Sequence, residues 1–143
     1  MGYELWVMKF YSSIFVLYTK YQDEMKENAI KDKSFAFAIR IANLYKSLSN
    51  RQNEYVMSKQ LLRSGTSVGA NIREALNAQS SADFIHKLSI AQKECDESLY
   101  WIELLTATGY INMEDSLSLT TEAGILLKII RSIILTTKKN NKS

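Results

Sequence analysis

The chain has 143 residues, 46% of them apolar and 23% charged, with a formal net charge of +3. That is enough for one domain with a sizeable core, and too weakly basic to identify a nucleic-acid binder by charge alone. One cysteine (Cys95), one histidine (His86), five glycines and no proline exclude an internal disulfide and a multi-cysteine metal site, and argue against a turn-rich all-β fold.

The first 24 residues differ from the rest. "LWVMKFYSSIFVLY", Leu5 to Tyr18, is apolar and aromatic with one lysine inside. It is too short and interrupted for a membrane span of about 20 apolar residues, and it lacks the basic start and small-residue cleavage site of a signal peptide. Two readings fit it. It is an extension that packs as a short extra helix or pairs with another chain, or translation starts at Met25 and "MKENAIKDKSF" is an ordinary polar N-terminus. The chain therefore divides into an extension, residues 1–24, and a bundle domain, residues 25–143.

Four helices follow. The first is expected from about Ser34 to Ser49, capped by Asp32 or Ser34, with Phe35, Ala38, Ile41, Ala42, Tyr45 and Leu48 as its apolar stripe. The second is expected from about Tyr55 to Gln79. Met57, Leu61, Gly65, Val68, Ile72 and Ala75 hold one face, and the register survives both glycines. Each glycine costs about 1 kcal/mol against alanine in a helix interior, so a compensating contact is expected.

The break "QSSAD" gives Ser80 or Ser81 as a cap, with capping-box spacing from Ser80 to Asp83. The third helix is expected from about Ala82 to Thr108, with Phe84, Leu88, Ala91, Cys95, Leu99, Ile102 and Leu105 inward. Gly109 suits a left-handed stop, with Tyr110 and Ile111 folding back. The fourth begins between Glu114 and Thr120 and reaches about Thr137. Its stripe is Leu119, Ala123, Leu126, Ile130, Ile133 and Ile134, and the tail "KKNNKS" is expected to fray. Four amphipathic helices with short links predict an all-α, antiparallel up-down-up-down four-helix bundle with an N-terminal extension.

The glycines of "RSGTSVGANIREA" do not make a phosphate loop: no strand precedes them and no lysine follows. At a four-residue spacing they share one helix face. Gly65, Ser67, Gly69 and Ala70 are the candidate close contact, inside the bundle or between subunits, and Gly65→Leu or Gly69→Leu is expected to overpack it.

Glu94, Asp96, Glu97 and Glu103 lack the Glu-x-x-His pairs of a di-metal bundle and read as a charged outer face. His86 and Cys95 stand nine residues apart, about 13 Å along a helix, too far to form a nucleophile pair. We therefore expect no metal, no cofactor, no small-molecule substrate and no enzymatic activity. The lone cysteine fits a reducing, cytoplasmic setting. Basic residues are scattered, and the candidate nucleic-acid contacts are Arg63, Arg73, Lys87, Arg131, Lys138 and Lys139. A ring of copies would multiply their field.

"SKQLLRSGTSVGANIREALNAQSSADFIHKLSIAQKECDESLYWIELLTATGYI", Ser58 to Ile111, closely resembles the four-helix-bundle proteins encoded by intervening sequences within bacterial 23S ribosomal RNA genes. The preceding "KSFAFAIRIANLYKSL" resembles that family's first helix, so the likeness runs from about Lys33 to Lys138, with the last helix matching in pattern. The first 24 residues have no counterpart in it. The resemblance implies an antiparallel bundle that assembles as a homopentameric ring. It also implies kinship with the accessory protein of diversity-generating retroelements, a basic pentameric barrel that works with a reverse transcriptase and nucleic acid. It carries no catalytic residues. The expected function is a non-enzymatic oligomeric scaffold or adaptor for RNA or a ribonucleoprotein, with partners drawn from further copies of the chain, RNA or DNA, and a reverse transcriptase or other protein, and no membrane. The alternative is a protein–protein module without nucleic acid.

Overall fold

The computed structural model describes residues 2–143 and contains four α-helices: α1 (Gly2–Gln52), α2 (Met57–Leu76), α3 (Ser81–Ala107) and α4 (Met113–Asn141). Each packs on its chain neighbours, and α4 closes on α1. The diagonal pairs α1/α3 and α2/α4 bring no Cα atoms within 8 Å of each other. The result is the expected all-α antiparallel four-helix bundle.

The largest departure from the sequence expectation is α1. It does not start near Ser34 but runs unbroken over 51 residues, about 76 Å at 1.5 Å per residue. Neither proposed cap works as one. Ser34 is buried and its hydroxyl donates to the Lys31 carbonyl one turn back. The run Glu24–Lys33 is rich in good helix formers and has no glycine or proline to stop it. The residues of 1–24 that are described thus continue the first helix rather than forming a separate one. Most are exposed, and they project beyond the bundle at the end that carries the α2–α3 turn and the C-terminus of α4.

Each link is closed by specific polar chemistry. After α1, Asn53 adopts a left-handed conformation (φ 53°) and the Glu54 N–H reaches back to the Leu48 carbonyl at 3.1 Å. The buried Glu54 side chain then caps α2. Its carboxylate accepts from the N–H groups of Val56 (3.1 Å), Met57 (2.9 Å) and Ser58 (2.7 Å), three of the donors a helix start leaves unpaired. Ser80 caps α3 by accepting from the Asp83 N–H, as the spacing predicts. Gly109 takes φ 85°, the N–H groups of Tyr110 and Ile111 both reach the Leu105 carbonyl, and Ile111 is buried beneath. Asn112 caps α4 by accepting from the Asp115 N–H at 2.8 Å. That helix continues to Asn141, where the side chain bonds Ser81, so most of the tail expected to fray is helical.

The inward series of α2, α3 and α4 hold, with Leu61, Val68, Ile72, Leu88, Cys95, Ile102, Leu126 and Ile130 all at 1% exposure or less. In α1 the expected Ile41 and Leu48 are buried, but the stripe is otherwise different. Phe37 is completely buried with Ile30, Ile41 and Leu48, whereas Phe35, expected inward, is 53% exposed and lies under the Arg73 guanidinium, 5.2 Å from ring centroid to Cζ.

Candidate interaction surfaces

The small-residue stretch of α2 meets its neighbours on two sides. Towards α1, Gly65 and Gly69 are buried. A methyl on Gly65 would stand 3.0 Å from both Cγ atoms of Ile41, while one on Gly69 would meet the Ser34 carbonyl and hydroxyl at an ordinary 3.5 Å. Towards α3, the buried Ser98 hydroxyl donates to Ser64 Oγ at 2.9 Å, and Ser64 donates to the Leu61 carbonyl. The two glycines therefore serve contacts inside one chain. Ser67 is half-buried, its hydroxyl donating to the Arg63 carbonyl, and Ala70 is exposed.

The six candidate nucleic-acid contacts do not converge. Arg63 and Arg73 lie on α2, Lys87 on α3, and Arg131, Lys138 and Lys139 on α4, which is diagonal to α2. Several are occupied. Arg63 spans Glu94 (3.2 Å) and Glu97 on α3, and Glu97 also accepts from the Trp101 indole at 3.2 Å. Hydrogen bonds from Arg63 and then Trp101 hold the Glu97 carboxyl below its ordinary range, and Glu97 in turn raises the arginine. Lys87 pairs with Glu74 at 2.8 Å, which raises its pKa. Arg73 covers Phe35. Arg131, Lys138 and Lys139 are exposed and make no ion pair among the described residues.

A different basic strip lies along the seam between α1 and α4. Lys26, Lys33 and Arg40 recur every seven residues, which returns each nearly to the same face of a helix. Lys26 donates to Ser132 on α4 at 3.1 Å, and Arg40 reaches Ser118 at 3.0 Å and pairs with Glu122. Two shallow clefts of about 210 and 180 Å³ follow the seam. Lys26, Lys128, Ile129 and Ser132 line one, and Lys33, Ala36, Glu122, Ile125 and Leu126 the other. Among the described residues Lys26, Lys33 and Lys128 have no carboxylate partner. The seven-residue spacing of Lys26, Lys33 and Arg40 is visible in the sequence, but its meaning depends on α1 beginning well before Ser34.

At the open end of the bundle a cleft of about 500 Å³ is lined by Asp23, Glu27, Gln79, Ser80, Phe84 and Asn140 among others. Burial, then the neighbouring Asp23 and Glu24, push the Glu27 carboxyl up. No reactive constellation accompanies it. His86 is exposed on α3 and Cys95 is fully buried, its thiol pushed up to about 12 chiefly by burial. No group of three or more potential metal ligands forms among the described residues, and none of their helices is long and apolar enough to cross a membrane.

Comparison with known proteins places this geometry. A family model described as 23S rRNA-intervening sequence protein matches residues 26–132. The chain is also 59% identical to a crystal structure from Bacteroides thetaiotaomicron VPI-5482, a protein of unknown function from the S23 ribosomal protein family. That match has a TM-score of 0.76 and covers 76% of this chain and 97% of the other. Proteins of curated description yield no match.

Proposed function

Because the chain belongs to the 23S rRNA-intervening sequence protein family, we propose that it acts as a non-catalytic, self-associating scaffold that docks the phosphate backbone of structured RNA on the α1–α4 seam. The observation that carries this reading is the basic strip. Lys26, Lys33 and Lys128 stand on one grooved face without carboxylate partners among the described residues, and Arg40, next in the line, is paired with Glu122. Spaced cations on a rigid face suit a regular run of phosphates and carry no base specificity. A single chain offers few contacts, so useful affinity requires several chains on one RNA. A homopentameric ring, with the cytoplasm as its setting, is the expected arrangement.

The test is RNA binding by the purified protein across a salt series. Each phosphate contact contributes about −0.7 to the log–log slope on single-stranded RNA and about −0.9 on duplex. The Lys26→Ala, Lys33→Ala, Lys128→Ala triple variant should lower the magnitude of the slope by about 2–3 per bound chain. Arg63→Ala with Lys87→Ala should leave it unchanged, since both cations are already paired. Equal slopes for the triple variant and the wild type would remove the strip from the reading. A second reading, a protein–protein module without nucleic acid, is favoured by the ion pairs that engage Arg63 on α2 and Lys87 on α3. Absence of RNA binding at low salt would select it.

A further inference from the structure

Seven of the ten exposed aromatic rings among the described residues lie between Tyr3 and Tyr21, on the part of α1 that projects beyond the bundle. The apolar side chains of this segment surround the helix: Leu5, Met8 and Val16 are exposed as well as Phe10, Ile14 and Leu17. A helix that packs on one partner carries a single apolar stripe, and no such stripe is marked out here. The segment offers instead a set of flat aromatic faces held in water on a rigid rod.

Three of the rings continue the basic strip. At about 100° per residue, Tyr11, Phe15 and Tyr18 fall in the same arc of about 80° as Lys26, Lys33 and Arg40. They are 66%, 67% and 59% exposed. The clefts of the α1–α4 seam show the same alignment. Phe15 and Lys26 line one cleft of about 380 Å³ with Gln22 and Asp23 of α1 and Asn140 of α4. Lys26 also lines the next cleft along, with Lys128. Rings, cleft and lysines therefore form one continuous surface.

That cleft has the chemistry of a nucleotide site. Its volume lies in the range of small-ligand pockets, about 300–1,000 Å³. Phe15 supplies a face on which a base stacks. The side-chain amides of Gln22 and Asn140 each offer donors and an acceptor to a base edge. Asp23 accepts from an exocyclic amino group, as carboxylates do on base edges. Lys26, whose ammonium donates to the Ser132 hydroxyl and pairs with no carboxylate among the described residues, takes a phosphate. Only an unpaired base can be splayed out to reach such a site.

We propose that unpaired nucleotides of an RNA stack on Tyr11, Phe15 and Tyr18, with one base seated in the cleft between Phe15 and Asn140 while its backbone runs on to Lys26 and the strip. The site rests on the nucleic-acid reading of the strip and adds the form of RNA recognised: single-stranded nucleotides beside a docked backbone.

Two RNAs test it, a blunt duplex and the same duplex with an oligoadenosine tail. Stacking of one base on an aromatic ring raises affinity roughly 5- to 150-fold, and the wild type should prefer the tailed RNA by at least the lower figure. The Tyr11→Ala, Phe15→Ala, Tyr18→Ala triple variant should bind both RNAs alike. Its affinity and salt slope on the blunt duplex, its thermal unfolding and its sedimentation mass should not change. Phe15→Trp should keep the preference for the tail, and so should Ile14→Ala with Leu17→Ala, which removes apolar area from another side of the helix. A wild type that binds both RNAs alike, or a preference that survives loss of the three rings, overturns the stacking site and leaves the lysine strip standing. A preference lost with Ile14 and Leu17, or a mass that falls with the rings and so assigns them to contact between copies, also overturns it. Binding of neither RNA at low salt removes the strip and this site together.

Discussion

At the scale of single residues, the two glycines of α2 have different reasons to be there. A methyl on Gly65 would press on Ile41, a β-branched side chain with no surface exposure and little freedom to rotate. Replacing glycine by alanine in a helix gains about 1 kcal/mol, but forced overpacking costs about 1–3 kcal/mol. Gly65→Ala is therefore expected to be destabilising, and Gly65→Leu severely so. At Gly69 the methyl meets only ordinary contact, so Gly69→Ala is expected to stabilise by about 0.5–1 kcal/mol. Urea midpoints of the two alanine variants should move in opposite directions, and a shared direction would refute this account. The sequence marks both positions as close contacts. It does not tell them apart, because the difference lies in which α1 residue stands opposite each.

At the scale of elements, some helix ends are set by local residues and others by a neighbouring turn. Ser80, Gly109 and the stripes of α2 to α4 are legible because caps and periodicity are local. Glu54 is not, because a glutamate four residues before Ser58 acts as a cap only once Asn53 has turned the chain left-handed. Burial alone would raise its pKa, but the hydrogen bonds from Ser58, Met57 and Val56 outweigh that and lower it. A folded-state pKa below the unfolded one contributes stability that is complete above the unfolded value, near 4.5, and is lost as pH falls through the folded value. Glu54→Ala should destabilise by about 1–2 kcal/mol at pH 7, as helix-cap deletions do. Its deficit against the wild type should shrink as the melts are repeated below pH 4. A deficit that stays constant with pH would show that the carboxylate charge is not what holds the α2 start.

At the scale of the whole molecule, the core is one continuous cluster contributed by all four helices, so opening any part of it exposes the rest. Cys95 reports on this. Its thiol is buried, sits 3.5 Å from the Ala123 carbonyl of α4, and has a pKa pushed up to about 12. A thiol reagent at pH 8 should find it unreactive in the native protein, and modification under mild denaturant should track global unfolding. Fast labelling without denaturant would reveal a local opening between α3 and α4. The basic strip belongs to this scale too, since it follows from where α1 lies relative to α4 rather than from α1 alone.

The amino-acid sequence by itself determined the helical class, three of the four helices with their inward faces, and the small-residue stretch at which helices approach closely. These depend on periodicity and capping within a few residues. Only the tertiary structure decided the length of α1 and which of its phenylalanines is inward. "SFAFA" offers two phenylalanines two residues apart, and which one enters the core depends on α2 and α4, not on local spacing. Lys26, Lys33 and Arg40 became a strip only when α4 was laid beside them, and Arg63 and Lys87 left the basic surface only when α3 and α2 brought them glutamates. Charge and exposure are properties of neighbours that a linear pattern does not contain.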